Sequence, residues 1–304
     1  MLAQLLDVTA AGAPPDEDAR AALTRGQQCL AAGDRDGAAV ALRRAALASV
    51  TQLQAHNLIE QHQLDGNFGA ITGVPSRIDP QDDVYRYFIG HGTWSSPLRD
   101  YLSDGWRTLS ELMLLLEAAD RPLLKIDRVL EFAAGHGRFT RHLVKALGAE
   151  RVTVSDVVPG AVAFSQEAFG VQGFVSSAQP EAVQWPARYE LVFVLSLFSH
   201  LPRASWSRWL ERLWDAVAPG GLLVFSTHGA EAVARAGVAL DGAGFFFAAS
   251  SESSAIDAQE YGTAFTSEAF VRAQVSALPQ PPETVRLAPT WFWNHQDAWV
   301  LRRR

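Results

Sequence analysis

The residues with the type and spacing to do chemistry are two carboxylates, a pair of glycines and a set of histidines that follow apolar runs. Glu131 stands four residues before Gly135, and Gly137 follows two positions later. They lie where the apolar run Val129–Phe132 meets an amphipathic segment that starts at about Arg138. A strand, a glycine-rich turn and a helix in that order set backbone N–H groups and the positive end of a helix dipole beside a ligand. The glycines let the chain bend sharply and let the ligand approach bare backbone. A dinucleotide fingerprint needs a third glycine, and Thr140 occupies that position. A carboxylate at Glu131 also repels a pyrophosphate and suits a cation. Both features oppose a nicotinamide-dependent oxidoreductase.

The second carboxylate, Asp156, closes the apolar run Arg151–Ser155, 21 residues beyond Gly135. That is where an acid accepts hydrogen bonds from the two hydroxyls of a ribose, with Val157 beside it for an adenine face. Its competing role is an N-cap for the helix from Pro159. Of the eight histidines, His56, His62 and His142 fall within helices, and His91 lies in an aromatic stretch that the sequence does not orient. His136 lies in the glycine turn. His200 and His228 remain as candidate general bases, because each follows a strand that points to the ligand-binding rim of an open α/β sheet, and His295, just ahead of the last apolar run, is a third candidate.

Elements to position these residues are legible along the chain. Asp16 to about Ser49 has helical periodicity broken at Ala31–Asp34, and resembles a single tetratricopeptide-type hairpin. Helix continues from about Ala48 to Leu64, and a loop follows from Asp65 to Gly69. An aromatic- and glycine-rich segment, Asp82–Trp106, precedes an apolar helix over Thr108–Leu116. From Ile126 strands and helices alternate, which predicts a doubly wound α/β fold. The strands are Arg128–Phe132, Arg151–Ser155, Gly173–Ser176, Tyr189–Ser196, the run after Pro219-Gly220-Gly221, Thr284–Leu287 and Ala298–Arg302. Pro219-Gly220-Gly221 reads as a helix stop and tight turn. Thr266-Ser267-Glu268 opens a capped helix, and the Phe-rich region between His228 and Tyr261 reads as an insert.

The pattern Glu131-x-x-x-Gly135-x-Gly137, then Ser196-x-x-x-His200-Leu201, Pro219-Gly220-Gly221-x-Leu223 and a terminal His295-Gln296-Asp297 strand, resembles the class I S-adenosylmethionine (SAM)-dependent methyltransferases from about Tyr101 to the C-terminus. The resemblance implies a mostly parallel seven-stranded sheet with an antiparallel last strand, preceded by an N-terminal helical region over 1–100, with the methyltransferase domain at 101–304. It implies SAM as cofactor and S-adenosylhomocysteine (SAH) as product. The cofactor residues carried over are Tyr101 and Gly105 from a Y-x-x-x-G segment, Glu131, Phe132, Ala133, Gly135, His136, Gly137 and Arg138 from the turn, Asp156 and Val157, and Leu195 and Ser196. Where the family has an acid after the third strand, this chain has Ser177, Ala178 and Gln179.

Composition narrows the setting. A formal charge of −7, 48% hydrophobic and 19% charged residues describe an ordinary globular protein. No basic block precedes Arg302-Arg303-Arg304, which opposes nucleic acid as a partner. One cysteine, Cys29, excludes an intrachain disulfide. No metal-ligand cluster, targeting segment or membrane span is read, so the expectation, with the resemblance, is a cytoplasmic enzyme that methylates a hydroxyl of a small molecule, a sugar or natural-product intermediate, with a homodimer as a further expectation. Phe245–Phe247, Trp291 and Trp293 are candidates to line the acceptor pocket, and equally for core or a dimer contact. The main alternative is a methyltransferase-fold protein without turnover, whose helical hairpin binds a partner.

Overall fold

In the computed structural model, residues 15–90, 97–250 and 256–304 are described. His91, Gly92 and Trp94 of the aromatic segment lie outside them. The chain divides into two compact units, with the boundary between Pro80 and Gln81.

The first unit holds helices α1 (Asp16–Ala31), α2 (Arg35–Ala45), α3 (Ser49–Gln61) and the short α4 (Phe68–Thr72). The turn read at Ala31–Asp34 is made by Asp34, whose carboxylate accepts the Gly37 N–H at 2.9 Å and so caps α2. Leu23, Ala38, Leu42, Ala45, Ala55 and Ile59 form the core of this unit, and Cys29 packs half-buried against it.

In the second unit, α5 (Asp83–Gly90) and α6 (Pro97–Ala118) precede the sheet. The helix expected from Thr108 therefore begins eleven residues earlier than read. Tyr101, Gly105, Leu109, Leu112 and Leu116 are all buried along it, so one apolar face continues through the Y-x-x-x-G segment.

The seven sheet strands are β1 (Val129–Phe132), β2 (Val152–Asp156), β3 (Gln172–Val175), β4 (Tyr189–Val194), β5 (Val217–Thr227), β8 (Thr284–Phe292) and β9 (Gln296–Arg302), in the order β3-β2-β1-β4-β5-β9-β8. Strands β1 to β5 pair in parallel, and β9 runs antiparallel to both β5 and β8. Period-two alternation divides the core. Leu130, Phe132, Val192, Val194 and Phe225 face α9 (Arg203–Ala216) and α11 (Glu268–Ser276). Val129, Val152, Leu191, Phe193 and Val224 face α6, α7 (Thr140–Leu147) and α8 (Pro159–Phe169). Burial on both faces is why these strands read as unbroken apolar runs.

Three local readings change. Pro219-Gly220-Gly221 stops α9 as expected but lies inside β5, which starts at Val217. Gly220 has φ +72°, and the β4–β5 register shifts between Tyr189 and Leu191, so the element is an irregularity in the strand edge. Strand β4 ends at Val194, two residues short, because Ser196 takes a left-handed φ of +59° that a strand cannot accommodate. Within the Phe-rich insert, β6 (Phe245–Ala248) pairs antiparallel with β7 (Thr263–Thr266) as a separate hairpin. Ser267 caps α11 by accepting the Phe270 N–H, and α10 (Ala230–Ala236) follows β5.

Candidate active site

Strand order reverses between β1 and β4, so the crevice beyond their carboxyl ends is the position where an open α/β sheet binds ligands. Register brings Phe132, Ser155 and Val194 level, which sets Ala133, Asp156 and Leu195 side by side on that rim. The backbone is strained on both sides of the crevice. Ala133 (φ +57°) follows β1 and Ser196 follows β4, and each is a non-glycine residue in left-handed geometry.

The glycine turn has a packed side and an open side. A Cβ on Gly137 (φ +80°) would stand 3.0 Å from Phe169 Cζ and 3.2 Å from Cδ2, with Cε2 closer still. A Cβ on Gly135 (φ +55°) would meet nothing within 4 Å. Gly135 is therefore where bare backbone borders open space, and Gly137 is where the turn rests on α8.

Both predicted carboxylates reach this turn. Glu131, 5% exposed, alternates onto the α7 face and accepts the Thr140 hydroxyl at 2.7 Å. Burial pushes its carboxyl up to about 8, against the pull of the Thr140 hydrogen bond and the Arg138 charge. Asp156 accepts Gly135 N–H at 2.8 Å on one oxygen and Val158 N–H at 2.9 Å on the other. Burial raises its pKa, opposed by those backbone donors. It thus holds the turn and fixes the loop before α8; the N-cap position of that helix falls to Val158, with no side-chain cap, so Asp156 is not the N-cap.

The other cofactor candidates distribute around the turn. Phe132 buries its ring against Trp209 and Trp185, at centroid distances of 5.2 and 5.7 Å, so only its backbone borders the rim. The His136 ring lies 6.3 Å from the Phe164 ring, and Val157, which follows Asp156, is half-buried. Arg138 pairs with Asp104 and stands 4.8 Å over the Trp293 ring. Tyr101 is fully buried and donates its hydroxyl to Asp82 at 2.5 Å. At Gly105 a Cβ would stand 2.9 Å from His142 Nε2 and closer to the Arg138 carbonyl, so α6 crosses directly behind the turn there. Ser177 accepts the Gln179 N–H, while the Gln179 side chain accepts from Arg208 at 3.2 Å, and Ala178 is exposed beside it.

The three rim histidines come together, although they are 28 and 67 residues apart in the chain. Their ring centroids are 6.2 Å apart for His200 and His228, and 5.0 Å for His228 and His295. Antiparallel pairing of Thr227 with Asp297 brings the last two together. His200 donates from Nδ1 to the Gly262 carbonyl at 2.6 Å and stacks on Tyr261 at 4.5 Å. A carbonyl only accepts, so the ring carries its proton on Nδ1 and its lone pair on Nε2. His228 likewise donates from Nδ1 to the Ala264 carbonyl at 3.1 Å. Burial lowers His228 to about 4, assisted by His200 and His295, and burial together with Arg235 lowers His295.

Several participants carried no signal that sequence reasoning used. Thr140 entered only as a missing glycine, yet its hydroxyl is the donor to Glu131. Arg141 is 0% exposed, donates to the Gly137 carbonyl at 2.9 Å, and lies over the Tyr101 and Phe169 rings. Its one cue was a charge on the apolar side of an amphipathic helix. Trp291 and Trp293 donate to the Glu111 carbonyl and the Thr108 hydroxyl, so they fasten the β8–β9 hairpin to α6. Phe245–Phe247 border a separate cleft of about 470 Å³ with Arg203 and Asp241. Among the described residues no cluster of His, Cys, Asp or Glu is placed to hold a metal, and no helix is long and apolar enough to cross a membrane.

Residues 130–223 match the family model of a methyltransferase domain, a span running from β1 through the first half of β5. The sheet is the doubly wound, mostly parallel seven-stranded arrangement with an antiparallel last strand that the sequence resemblance implies. Similar solved structures include magnesium protoporphyrin IX methyltransferase from Synechocystis PCC 6803 with bound SAH, at 17% identity over 73% of this chain and 94% of that one, TM-score 0.47. The SAM-dependent methyltransferase SibL is 16% identical over 90% of this chain and 76% of that one, TM-score 0.48. The 1,6-didemethyltoxoflavin-N1-methyltransferase of Burkholderia thailandensis is 19% identical over 73% and 87%, TM-score 0.46. The Gly135–Gly137 turn and the tip of β4 flank the crevice at the switch point.

Proposed function

We propose that this methyltransferase-fold protein transfers the methyl group of SAM to a hydroxyl of a small molecule, releasing SAH. The observation that carries the reading is the open, bare backbone at Gly135 beside two buried carboxyls, Glu131 and Asp156. These residues fit a cationic nucleoside. Gly135 admits close approach, Asp156 stands at the tip of β2 for a ribose, and Glu131 supplies negative charge where a cation favours its ionised form. Ala133, His136, Gly137, Arg138, Val157, Leu195 and Ser196 would complete the enclosure. Ser177, Ala178 and Gln179 would border the adenine side, and Tyr101 and Gly105 support the turn from α6.

When bound, SAM supplies an electrophilic methyl on a sulfonium that is already a good leaving group. The chain's part is then mostly positioning. An alcohol nucleophile also needs a proton acceptor. Among the three histidines, His200 is best suited: its Nδ1–H is donated to Gly262, so the lone pair that would take a proton is on Nε2, and Tyr261 holds the ring plane. His228 and His295 line the same rim, and their lowered pKa values keep them neutral. In this reading residues 101–304 form the enzyme domain and 1–100 the helical region.

The test is a thermal shift with SAM and SAH, since a ligand that binds only the folded state raises Tm. Both should raise it in the wild-type protein and in Cys29→Ala, and neither in Asp156→Ala. Absence of a shift at millimolar ligand would overturn the reading.

A further inference from the structure

A chain of hydrogen bonds whose direction is set at both ends joins the tip of β4 to the rim histidines. It starts at the backbone N–H of Ser196, which only donates, to Ser226 Oγ at 2.8 Å. Having accepted that proton, the Ser226 hydroxyl donates to Gln296 Oε1 at 2.6 Å. The carbonyl end of the Gln296 amide is thereby fixed. Its NH₂ end must then lie toward Ser196 Oγ at 2.9 Å and His228 Nε2 at 3.4 Å. The chain ends where His228 Nδ1 meets the Ala264 carbonyl, which only accepts. With obligate backbone groups at each end, no member can reverse alone.

Gln296 is 4% exposed, and no hydrophobic role explains a primary amide buried at the first residue of β9. All its polar atoms are engaged in this chain, as a buried amide requires. Ser196 is the strained residue beside the crevice, and His228 lies between His200 and His295, the two titratable groups that face it, with Phe265 on its other side at 5.1 Å. Thus one side chain touches both the cofactor side and the histidine side of the rim.

We propose that Gln296 is a positioning residue: it holds Ser196 in its left-handed conformation under the cofactor crevice and locks His228 as the Nδ1–H tautomer, a strut rather than a proton acceptor. The first half rests on the proposed SAM site, and the second does not. His228 then has both ring nitrogens occupied, which removes it from the candidate bases.

The experiment combines ¹⁵N imidazole NMR with calorimetric titration of SAH, on the full chain as wild type, Gln296→Met and Ser226→Ala. The wild type should show His228 protonated at Nδ1 and bare at Nε2 between about pH 6 and 8. In Gln296→Met the Nε2 resonance should move toward that of an unbonded lone pair, and SAH binding should weaken by about 5- to 30-fold, the effect of one to two buried hydrogen bonds. Ser226→Ala keeps the amide in place and should weaken SAH by about 3- to 10-fold; it tests the same chain if Gln296→Met does not fold. A wild-type His228 carrying its proton on Nε2, or variants with unchanged resonances and unchanged SAH affinity, would overturn the proposal. A wild type that binds no SAH would instead overturn the cofactor reading and the Ser196 half, while NMR still decides the tautomer.

Discussion

Two alanine substitutions two residues apart should have opposite consequences. Gly135 and Gly137 both have positive φ, so alanine at either pays the left-handed backbone cost of about 1–2 kcal/mol. Only at position 137 does the new methyl enter an occupied space, with Phe169 ring atoms at 3.0 and 3.2 Å and one nearer. Overpacking of that kind adds about 1–3 kcal/mol. At roughly 2–4 °C per kcal/mol for a unit of this size, Gly137→Ala should melt roughly 2–12 °C below Gly135→Ala by calorimetry. Binding should rank the other way. At Gly135 the methyl projects into open space, where the proposed ligand would have to lie. One misplaced methyl in a fitted site is worth ~10- to 200-fold, so Gly135→Ala should raise the SAH Kd by at least about 10-fold while staying folded. If Gly135→Ala bound SAH as tightly as wild type, the crevice would not be the cofactor site and the reasoning from the turn would fail.

Other outcomes follow from the same geometry. Glu131 binds its proton more tightly folded than unfolded, with a pKa of about 8 against 4.5, so its stabilising contribution is complete below pH 4.5 and lost as pH rises toward 8. Denaturant titrations should show this as a fall of up to about 1.4 kcal/mol per pH unit in that window, absent in Glu131→Gln. Once an acceptor is found, His200→Ala should lower kcat by about 100-fold or more with little change in SAH affinity, and Tyr261→Ala should lower it less. Thr140→Val removes the donor to buried Glu131 and should cost about 1–3 kcal/mol by chemical denaturation. Ser267→Ala, which loses the α11 cap, should cost about 1 kcal/mol and leave SAH binding intact.

Much of the fold could be read because its signals are local. Apolar runs such as Leu191–Val194 mark strands buried on two faces, and Asp34 and Ser267 mark helix starts through bonds that span three residues. The glycine turn was readable for the same reason, since the bend, the strand before it and the helix after it are contiguous. The misread elements depend on partners distant in sequence. The face of α6 that runs back through Tyr101 and Gly105 is covered by Arg138, Arg141 and His142, more than thirty residues on, and the Pro-Gly-Gly segment joins β5 through hydrogen bonds with Arg303. The tryptophans considered for an acceptor pocket are drawn to α6 by carbonyl and hydroxyl acceptors 180 or more residues away.

The family resemblance brought His295 to the rim, and sequence by itself determined the rest that could meet there: a carboxylate, two glycines, a second carboxylate and a histidine after each of two parallel strands. Periodicity and chain order are enough for that, because parallel strands with helical crossovers put every carboxyl end on one side. Only tertiary structure decided their states. Whether Gly135 or Gly137 faces open space, which imidazole nitrogen holds a proton, and whether Tyr101 touches a ligand or a buried aspartate depend on atoms contributed by α6, α8 and the β6–β7 hairpin. Hydrogen bonds and desolvation act over a few ångströms, and no spacing along the chain encodes those distances.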